Sequence, residues 1–277
     1  MEGIEHPLGE RHLAGCLALS RAASWNQNEA DWRLMLALGR GWGLSLADGT
    51  LAATTLVLPY GGRFAWVSMV LVLPEHRRMG YASRLLRVAL DDLESGGLTP
   101  VLDATPAGRE VYRREGFAEQ WSFSRLAAKS VSTPPLTVQG VRALGEGDWG
   151  WMLELDGMAF GASRERLLRA LARRMPEAAL VREAGGFILG RDGGDARQLG
   201  PLVARDAGTA KALLAQALRL VEPPIYVDVV DHAPALREWL EARGFVFQRP
   251  FTRMVRGAAR APGDERYVFL VAGPELG

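Results

Sequence analysis

Hydrophobic positions along the chain alternate between a period of two and a helical period, and the same order of segments occurs twice. Near the start, the turn Asp48-Gly49 separates two apolar runs and predicts a β-hairpin, which a third antiparallel strand follows. The strands predicted before residue 127 cover residues 42–46, 51–59, 63–73, 98–103 and 119–126. Four helices are predicted in the same part of the chain: one over 8–23, one that ends at Leu38, one that begins at residue 81 and a short one that ends before Gly116. This order predicts a mixed α/β fold, with a mostly antiparallel mixed sheet flanked by helices.

The second half repeats the first in outline. A polar segment with Ser130, Ser132 and Pro134 is predicted to be a linker over 127–135, which leaves domains at 1–126 and 136–277. The elements predicted after the linker are strands over 136–141, 179–183, 187–191 and 225–230, and helices over 149–160, 164–174 (with Ser163 as its N-cap), 211–220 and 236–243. Two tandem domains of the same kind are therefore expected.

Length and charge limit the classes of function. A chain of 277 residues is long enough for two domains that each bury a core. Its net charge of +1 is shared evenly between the halves, so neither nucleic acid nor a membrane surface is predicted as a partner. No apolar run reaches the length of about 18 residues that a membrane span needs. The lone cysteine, Cys16, excludes an internal disulfide and favours a cytoplasmic protein. Since Cys16 lies between Leu13 and Leu19 on one helix face, it is predicted to be a core residue rather than an acyl-carrying nucleophile.

The segment from residue 66 to residue 89 is the most informative of the chain. An apolar strand ends in Val72-Leu73-Pro74, and Arg77-x-x-Gly80-x-Ala82 then begins a helix. Because Gly80 and Ala82 have almost no side chain, the backbone N–H groups of residues 78–83 are predicted to be accessible at the helix start. Such a helix start suits an anion such as a pyrophosphate.

This segment resembles the acetyl-coenzyme A site of the GNAT superfamily of N-acetyltransferases, whose signature is Arg/Gln-x-x-Gly-x-Gly/Ala after a strand that ends in Val-x-Pro. Residues 105–117, with Tyr112 four residues before Gly116-Phe117, resemble the next block of the same superfamily. Thr105 departs from the family, which commonly has Asn there. The resemblance implies acetyl-CoA as the cofactor and no metal. The residues implied to bind the cofactor are Val70, Leu71, Val72, Arg77, Arg78, Met79, Gly80, Tyr81, Ala82, Ser83 and Thr105.

The resemblance also implies the catalytic residue. Tyr112 would lie near the thioester sulfur, where a phenol with a pKa of about 10 can donate its proton to the leaving thiolate; a tyrosine that only packs is the alternative. Many relatives carry a Glu on the cofactor strand, where this chain has Ser68. The general base is therefore open: the acceptor loses its proton through a chain of water molecules or to a carboxylate from elsewhere, for which the candidates are Glu29, Asp31, Asp156 and Asp228. Candidate acceptor contacts are Trp25, Asn26 and Gln27, with packing as the alternative for Trp25, together with Asp156 and Asp228.

The second half carries a shortened copy of the motif, Arg205-x-x-Gly208-x-Ala210. Asp206 puts a carboxylate where Arg78 stands, and Leu240 replaces Tyr112, so this copy is predicted to be non-catalytic. The whole layout resembles a tandem bacterial subgroup whose second domain helps form the acceptor site. The predicted function is acetyl transfer from acetyl-CoA to a small amine by a monomer or homodimer. A non-catalytic coenzyme A-binding sensor or interaction protein is the alternative.

Overall fold

The computed structural model describes residues 3–132 and 138–277. Its strands are β1 (Ile4–Pro7), β2 (Arg40–Ser45), β3 (Leu51–Tyr60), β4 (Phe64–Val72), β5 (Thr99–Ala104), β6 (Phe117–Ala128), β7 (Arg142–Ala143), β8 (Leu180–Arg182), β9 (Gly186–Arg191), β10 (Arg197–Ala204), β11 (Ile225–Val230), β12 (Val246–Arg256) and β13 (Val268–Leu270). Its α-helices are α1 (Leu13–Ala22), α2 (Glu29–Leu38), α3 (Tyr81–Ser95), α4 (Pro106–Arg114), α5 (Trp149–Phe160), α6 (Glu165–Arg174), α7 (Ala207–Leu220) and α8 (Pro234–Glu241). Among the described residues, no helix combines the length and the apolarity needed to cross a bilayer.

Local sequence fixes where several helices begin. Asn28 caps α2, because its side-chain oxygen accepts from the Asp31 N–H (3.1 Å) while the Asp31 carboxylate accepts from the Asn28 N–H (3.0 Å). Asp206 caps α7 by accepting from the Thr209 N–H (2.8 Å). Asp206, which was expected to place a carboxylate beside the phosphate position of the second motif, is therefore the N-cap of α7.

The described strands form one mixed sheet of 13 strands in the order β1-β2-β3-β4-β5-β12-β6-β11-β13-β10-β9-β8-β7. The two halves exchange their long strands at the middle of this sheet: β12 lies between β5 and β6, and β6 pairs with β11. The predicted mixed α/β class is confirmed. The expectation that each half carries a sheet of its own is corrected, since the exchanged strands join both halves into one.

Two buried ion pairs hold the exchanged strands to their new neighbours. Arg253 of β12 stands opposite Asp103 of β5 and binds both of its carboxylate oxygens (2.9 and 2.9 Å). Arg125 of β6 stands opposite Asp228 of β11 and does the same (2.8 and 2.7 Å). Loss of one partner would leave a buried unpaired charge, which typically costs about 3–5 kcal/mol. These pairs therefore lie at the two junctions where a strand of one half pairs with a strand of the other.

The sheet separates two sets of helices. In β3, Leu56 and Leu58 belong to the core formed with α1, α2, α5 and α6, whereas Val57 packs with α3. In β9, Phe187 belongs to the first core, whereas Ile188 packs with α7 and α8. Since successive strand residues point to opposite faces, α1, α2, α5 and α6 cover one face and the other helices cover the opposite one.

Some local predictions differ from the structure. The pattern does not predict β1, β12 or β13. Of the strand expected over 136–141, residues 139–140 form a turn, and residues 136–137 lie outside the described residues. Ser163 does not cap α6, because Arg164 occupies the cap position without a side-chain hydrogen bond. In the expected linker, residues 127–128 belong to β6, and residues 133–135 lie outside the described residues.

Candidate active site

Strands β4 and β5 begin side by side and then separate. They pair in parallel as far as Trp66 opposite Val101. Beyond this point β4 carries a bulge, where Met69 has a φ of 50° and its carbonyl accepts from Thr54 Oγ1 (2.8 Å). The rest of β4 therefore turns away from β5, and the backbone edge of residues 70–72 on that side is left without a strand partner.

The loop between β4 and α3 places two residues in the left-handed region, Arg78 (φ 65°) and Gly80 (φ 82°). The Arg84 N–H donates to the Gly80 carbonyl (3.0 Å) as the helix begins, so the N–H groups of the preceding turn, including those of Ala82 and Ser83, point out of the helix end. A Cβ on Gly80 would meet nothing within 4 Å. Glycine is therefore required here for its backbone conformation, and the loop opens toward space where an anion can lie.

Helix α4 presents Tyr112 to the same region. Thr105 caps this helix by accepting from the Gly108 N–H (3.3 Å). The Tyr112 ring lies edge-on to Phe117, with ring centres 5.9 Å apart, and so close to Gly108 that a Cβ there would come within 2.8 Å of Cε2. Among the described residues, the Tyr112 hydroxyl has no hydrogen-bond partner. Burial raises the pKa of Tyr112 to about 12, so the phenol keeps its proton at neutral pH.

These elements enclose a cleft of about 640 Å³. The predicted site residues that line it are Trp25, Val70, Leu71, Val72, Arg77, Ala82, Thr105 and Tyr112. The other predicted cofactor residues, Arg78, Met79, Gly80, Tyr81 and Ser83, lie on the adjoining loop and the first turn of α3. The second half contributes Arg249 to the lining. Sequence reasoning missed this arginine, because its position depends on the strand exchange and no local pattern marks it.

Asn26 does not contact this cleft. Its side-chain oxygen accepts from the N–H groups of Asp195 (2.9 Å) and Ala196 (3.0 Å), and its nitrogen donates to the Ala196 carbonyl (2.9 Å). The predicted acceptor contact is therefore corrected: Asn26 ties the first half to a loop of the second. The neighbouring Gln27 is buried and lies outside the cleft lining.

The four acids considered as a base also lie outside the cleft lining, and each forms an ion pair. The pairs are Glu29 with Arg33 (2.9 Å), Asp31 with Arg174 (2.7 Å), Asp156 with Arg164 (2.9 Å) and Asp228 with Arg125 (2.7 Å). The predicted acceptor contacts of Asp156 and Asp228 are corrected for the same reason. Asp103 does line the cleft, but its side chain is fully buried against Arg253. Within the part of the chain that the structure describes, no carboxylate group opens onto the cleft.

The corresponding gap in the second half is filled by the chain itself. Strands β10 and β11 pair in parallel as far as Leu199 opposite Val227 and then separate, as β4 and β5 do. Strand β13 inserts between them, with Leu270 opposite both Leu202 of β10 and Val229 of β11. The edges of β10 and β11 that face this gap are therefore already paired, which gives a physical reason why, among the described residues, the gap between β4 and β5 is open and this one is not.

Cys16 takes no part in the site. It is fully buried, and burial raises the pKa of its thiol to about 12. The prediction of a core residue is confirmed.

Both halves match acetyltransferase families. Residues 13–117 match the acetyltransferase (GNAT) family, and residues 152–270 match an acetyltransferase (GNAT) domain. The tandem arrangement expected from the motif repeat is thereby confirmed. A search of curated proteins finds no match to the chain.

Solved structures share the fold of the whole chain. A protein from Pyrococcus horikoshii that was assigned as an acetyltransferase aligns over 100% of this chain and 96% of its own, with a TM-score of 0.87 and 20% identity. A GCN5-related N-acetyltransferase from Sphaerobacter thermophilus aligns over 95% and 97%, with a TM-score of 0.64 and 18% identity. The glucosamine N-acetyltransferase region of a fungal multi-domain β-N-acetylglucosaminidase aligns over 91% of this chain and 38% of its own, with a TM-score of 0.65 and 12% identity. Identities this low establish the fold alone.

Proposed function

Because the chain belongs to the GNAT superfamily of N-acetyltransferases, we propose that it transfers the acetyl group of acetyl-CoA to the amino group of a small acceptor. The observation that supports this most directly is the cleft between β4 and β5. It combines an open strand edge at residues 70–72, a helix start suited to an anion and a protonated phenol at Tyr112. We assign the chemistry to domain 1–126, and the acceptor side in part to domain 136–277 through β12.

The cleft residues fit coenzyme A. The backbone of residues 70–72 offers N–H and C=O groups to the amides of an extended pantetheine arm, as one strand does to the next. The exposed loop with Gly80 and the first turn of α3 suit the diphosphate. Arg77 lines the cleft beside them, and its Nε donates to the Val72 carbonyl (3.4 Å). The Thr105 hydroxyl caps α4 as an acceptor, so it positions that helix, and its own O–H remains able to donate to the cofactor in the cleft that Thr105 lines.

Acetyl-CoA supplies an activated acyl group on a thiol leaving group. Tyr112 donates its phenol proton to the departing sulfur, and its raised pKa keeps that proton in place through the neutral range. A backbone N–H of residues 70–72 stabilises the negative charge on the carbonyl oxygen, a contribution of about 3 kcal/mol in comparable sites.

The acceptor loses its proton to water in this mechanism, because no carboxylate of the described residues opens onto the cleft. Amines of low pKa are therefore the best acceptors. An α-amino group, with a pKa of about 7.7–8.0, is already half neutral near pH 8.

The same lack of a carboxylate supports a second candidate, a coenzyme A sensor that binds without turnover. The two are separated by the release of free thiol from acetyl-CoA in the presence of pooled primary amines, with the product identified by a mass increase of one acetyl group. Transferase activity requires amine-dependent thiol release that disappears when Gly80 is replaced by Glu. Tight coenzyme A binding without thiol release for any amine would favour the sensor. A reducing cytoplasm is the compartment that we propose, given the single buried thiol.

A further inference from the structure

Arg249 is a residue of the second half that lines the cleft of the first half. Strand β12 carries it past the end of β5, since Thr252 is the residue of β12 opposite Ala104, the last residue of β5. A guanidinium nitrogen of Arg249 lies 3.5 Å from the carbonyl oxygen of Ser24, in the connection between α1 and α2. Trp25, in the same connection, also lines the cleft. Arg249 therefore lies on the α1–α2 side of the cleft.

The positive charge of Arg249 has no acid partner among the described residues. Its neighbour directly across the strand pair is another arginine, Arg125. The acid beside this pair of arginines, Asp228, already accepts from Arg125 Nε and Nη2 and from Gln198 Nε2 (2.6 Å). Asp228 pairs with Arg125, so among the described residues the guanidinium of Arg249 forms no ion pair at this side of the cleft.

This arrangement differs from that of the buried arginines. Each of those has an acid partner: Arg125 with Asp228, Arg164 with Asp156, Arg191 with Glu275 and Arg253 with Asp103. Like charges opposite each other destabilise a sheet. Partial burial lowers the pKa of Arg249, and Arg125 adds to that effect. An anion that binds between the strands and Trp25 would remove this cost, and a guanidinium binds carboxylates and phosphates through two parallel hydrogen bonds.

We propose that Arg249 binds an anionic group on the acceptor, so that the substrate is a small amine that also carries a carboxylate or a phosphate. This inference rests on the proposed acetyl transfer. The strand exchange then has a direct role in specificity, because it brings a cation of the second half to the acceptor side of the first.

Two matched pairs of acceptors test the proposal and distinguish the two anions. Glycylglycine and glycylglycinamide differ in a carboxylate, and phosphoethanolamine and ethanolamine differ in a phosphate. Thiol release is measured for all four, and kcat/KM is corrected for the fraction of neutral amine. In at least one pair we expect the kcat/KM of the anionic acceptor to exceed that of its neutral partner by about 10- to 100-fold. The pair that shows this difference identifies the anion.

In Arg249→Gln the ratio within that pair should fall to near one, while the KM for acetyl-CoA stays unchanged. Arg249→Lys should keep part of the preference, because a point charge remains. Arg173→Gln, an exposed position on α6, serves as the matched control and should keep the full ratio. Equal use of acid and neutral acceptor in both pairs, or a preference that survives Arg249→Gln, would overturn the proposal. An increase in the KM for acetyl-CoA would do so as well, because it would make Arg249 a cofactor contact.

Failure of the proposed transferase activity would look different. Wild-type protein would then release no thiol with any amine, and calorimetric titration of the coenzyme A-bound protein with the same four compounds would decide on the anion site. Tighter binding of an acid that is lost in Arg249→Gln supports the site. Equal binding of acids and neutral partners by the wild type overturns it.

Discussion

Replacement of Tyr112 by Phe removes one hydroxyl and little else. The ring is held by Phe117, with ring centres 5.9 Å apart, and by the close approach of Gly108. Both contacts involve the ring, and the hydroxyl has no hydrogen-bond partner among the described residues. The free energy of unfolding should therefore change by no more than about 0.5 kcal/mol, as for a substitution that creates neither a cavity nor an unpaired polar group.

Catalysis should respond very differently. Loss of a general acid typically lowers the rate by about 10²- to 10⁴-fold, which corresponds to about 2.7–5.5 kcal/mol of transition-state stabilisation. The dissociation constant of acetyl-CoA should stay the same, because the proton moves only as the sulfur leaves. Since burial raises the pKa of Tyr112 to about 12, the acid form predominates below that pH. The wild-type pH profile should therefore show no fall due to Tyr112 up to about pH 10.

The assay measures initial rates of thiol release and, separately, acetyl-CoA binding by calorimetry. Leu240, at the matching position of the second half, gives an internal control: Leu240→Tyr should create no activity, because β13 fills the gap between β10 and β11. Near-normal turnover in Tyr112→Phe would refute the reasoning. The proton would then come from water, and Tyr112 would serve only in packing.

Three further predictions follow from the same geometry. Gly108→Ala should lower kcat by about 10-fold, because its Cβ would come within 2.8 Å of the Tyr112 ring. Gly157→Ala on α5, where a Cβ meets nothing within 4 Å, should leave kcat unchanged. Initial rates and thermal unfolding of both variants check this. Gly80→Glu should abolish acetyl-CoA binding. Gly49→Glu in the β2–β3 turn introduces the same left-handed strain of about 1–2 kcal/mol and should keep acetyl-CoA binding. If calorimetry finds equal binding in both variants, the loop that carries Gly80 is not part of the site. Wild-type protein should bind one acetyl-CoA per chain, since β13 closes the second gap, and a stoichiometry of two would contradict this.

Local patterns predicted the elements whose stability depends on near neighbours. The helix at 149–160 and the strand at 225–230 have the predicted bounds, because turn residues flank both: Gly161 follows the helix with a φ of 94°, and Pro223-Pro224 precede the strand. The loop motif was equally accessible from sequence. Arg77 and Ala82 line the cleft, and Gly80 adopts a left-handed conformation with a φ of 82°.

Polar side chains were predicted poorly wherever their partners are distant in sequence. Asn26 binds Ala196, which is 170 residues away, and Asp228 binds Arg125, which is 103 residues away. A polar residue looks the same in sequence whether it faces a substrate or a buried partner. Only the fold decides between these roles.

Strand β12 was missed for a related reason. Pro250 lies within it, and a proline normally argues against a strand in the middle of a sheet because it cannot donate a ladder hydrogen bond. In this chain the ladder between β12 and β6 changes register between Phe247 and Arg249, immediately before the proline. Pro250 lies opposite Ser124 of β6, and on its other side it lies past the end of β5, whose last partner in β12 is Thr252, so no β5 residue pairs with the proline.

The exchange of β6 and β12 explains why a half without a cofactor loop is still required for the site. Strand β5 has β12 as its neighbour on the side away from β4, so the wall of the cleft beside Thr105 and Tyr112 depends on a strand from the other half. The same strand delivers Arg249 to the cleft and Arg253 to Asp103. Strand β13 fills the gap between β10 and β11 and pairs with the edges of both strands. Strand β11 in turn pairs with β6 of the first half. The gap of the second half is therefore closed, while that half forms part of the structure on which the first cleft depends, and residues 1–126 without β12 would lack both the wall and the Arg249 guanidinium.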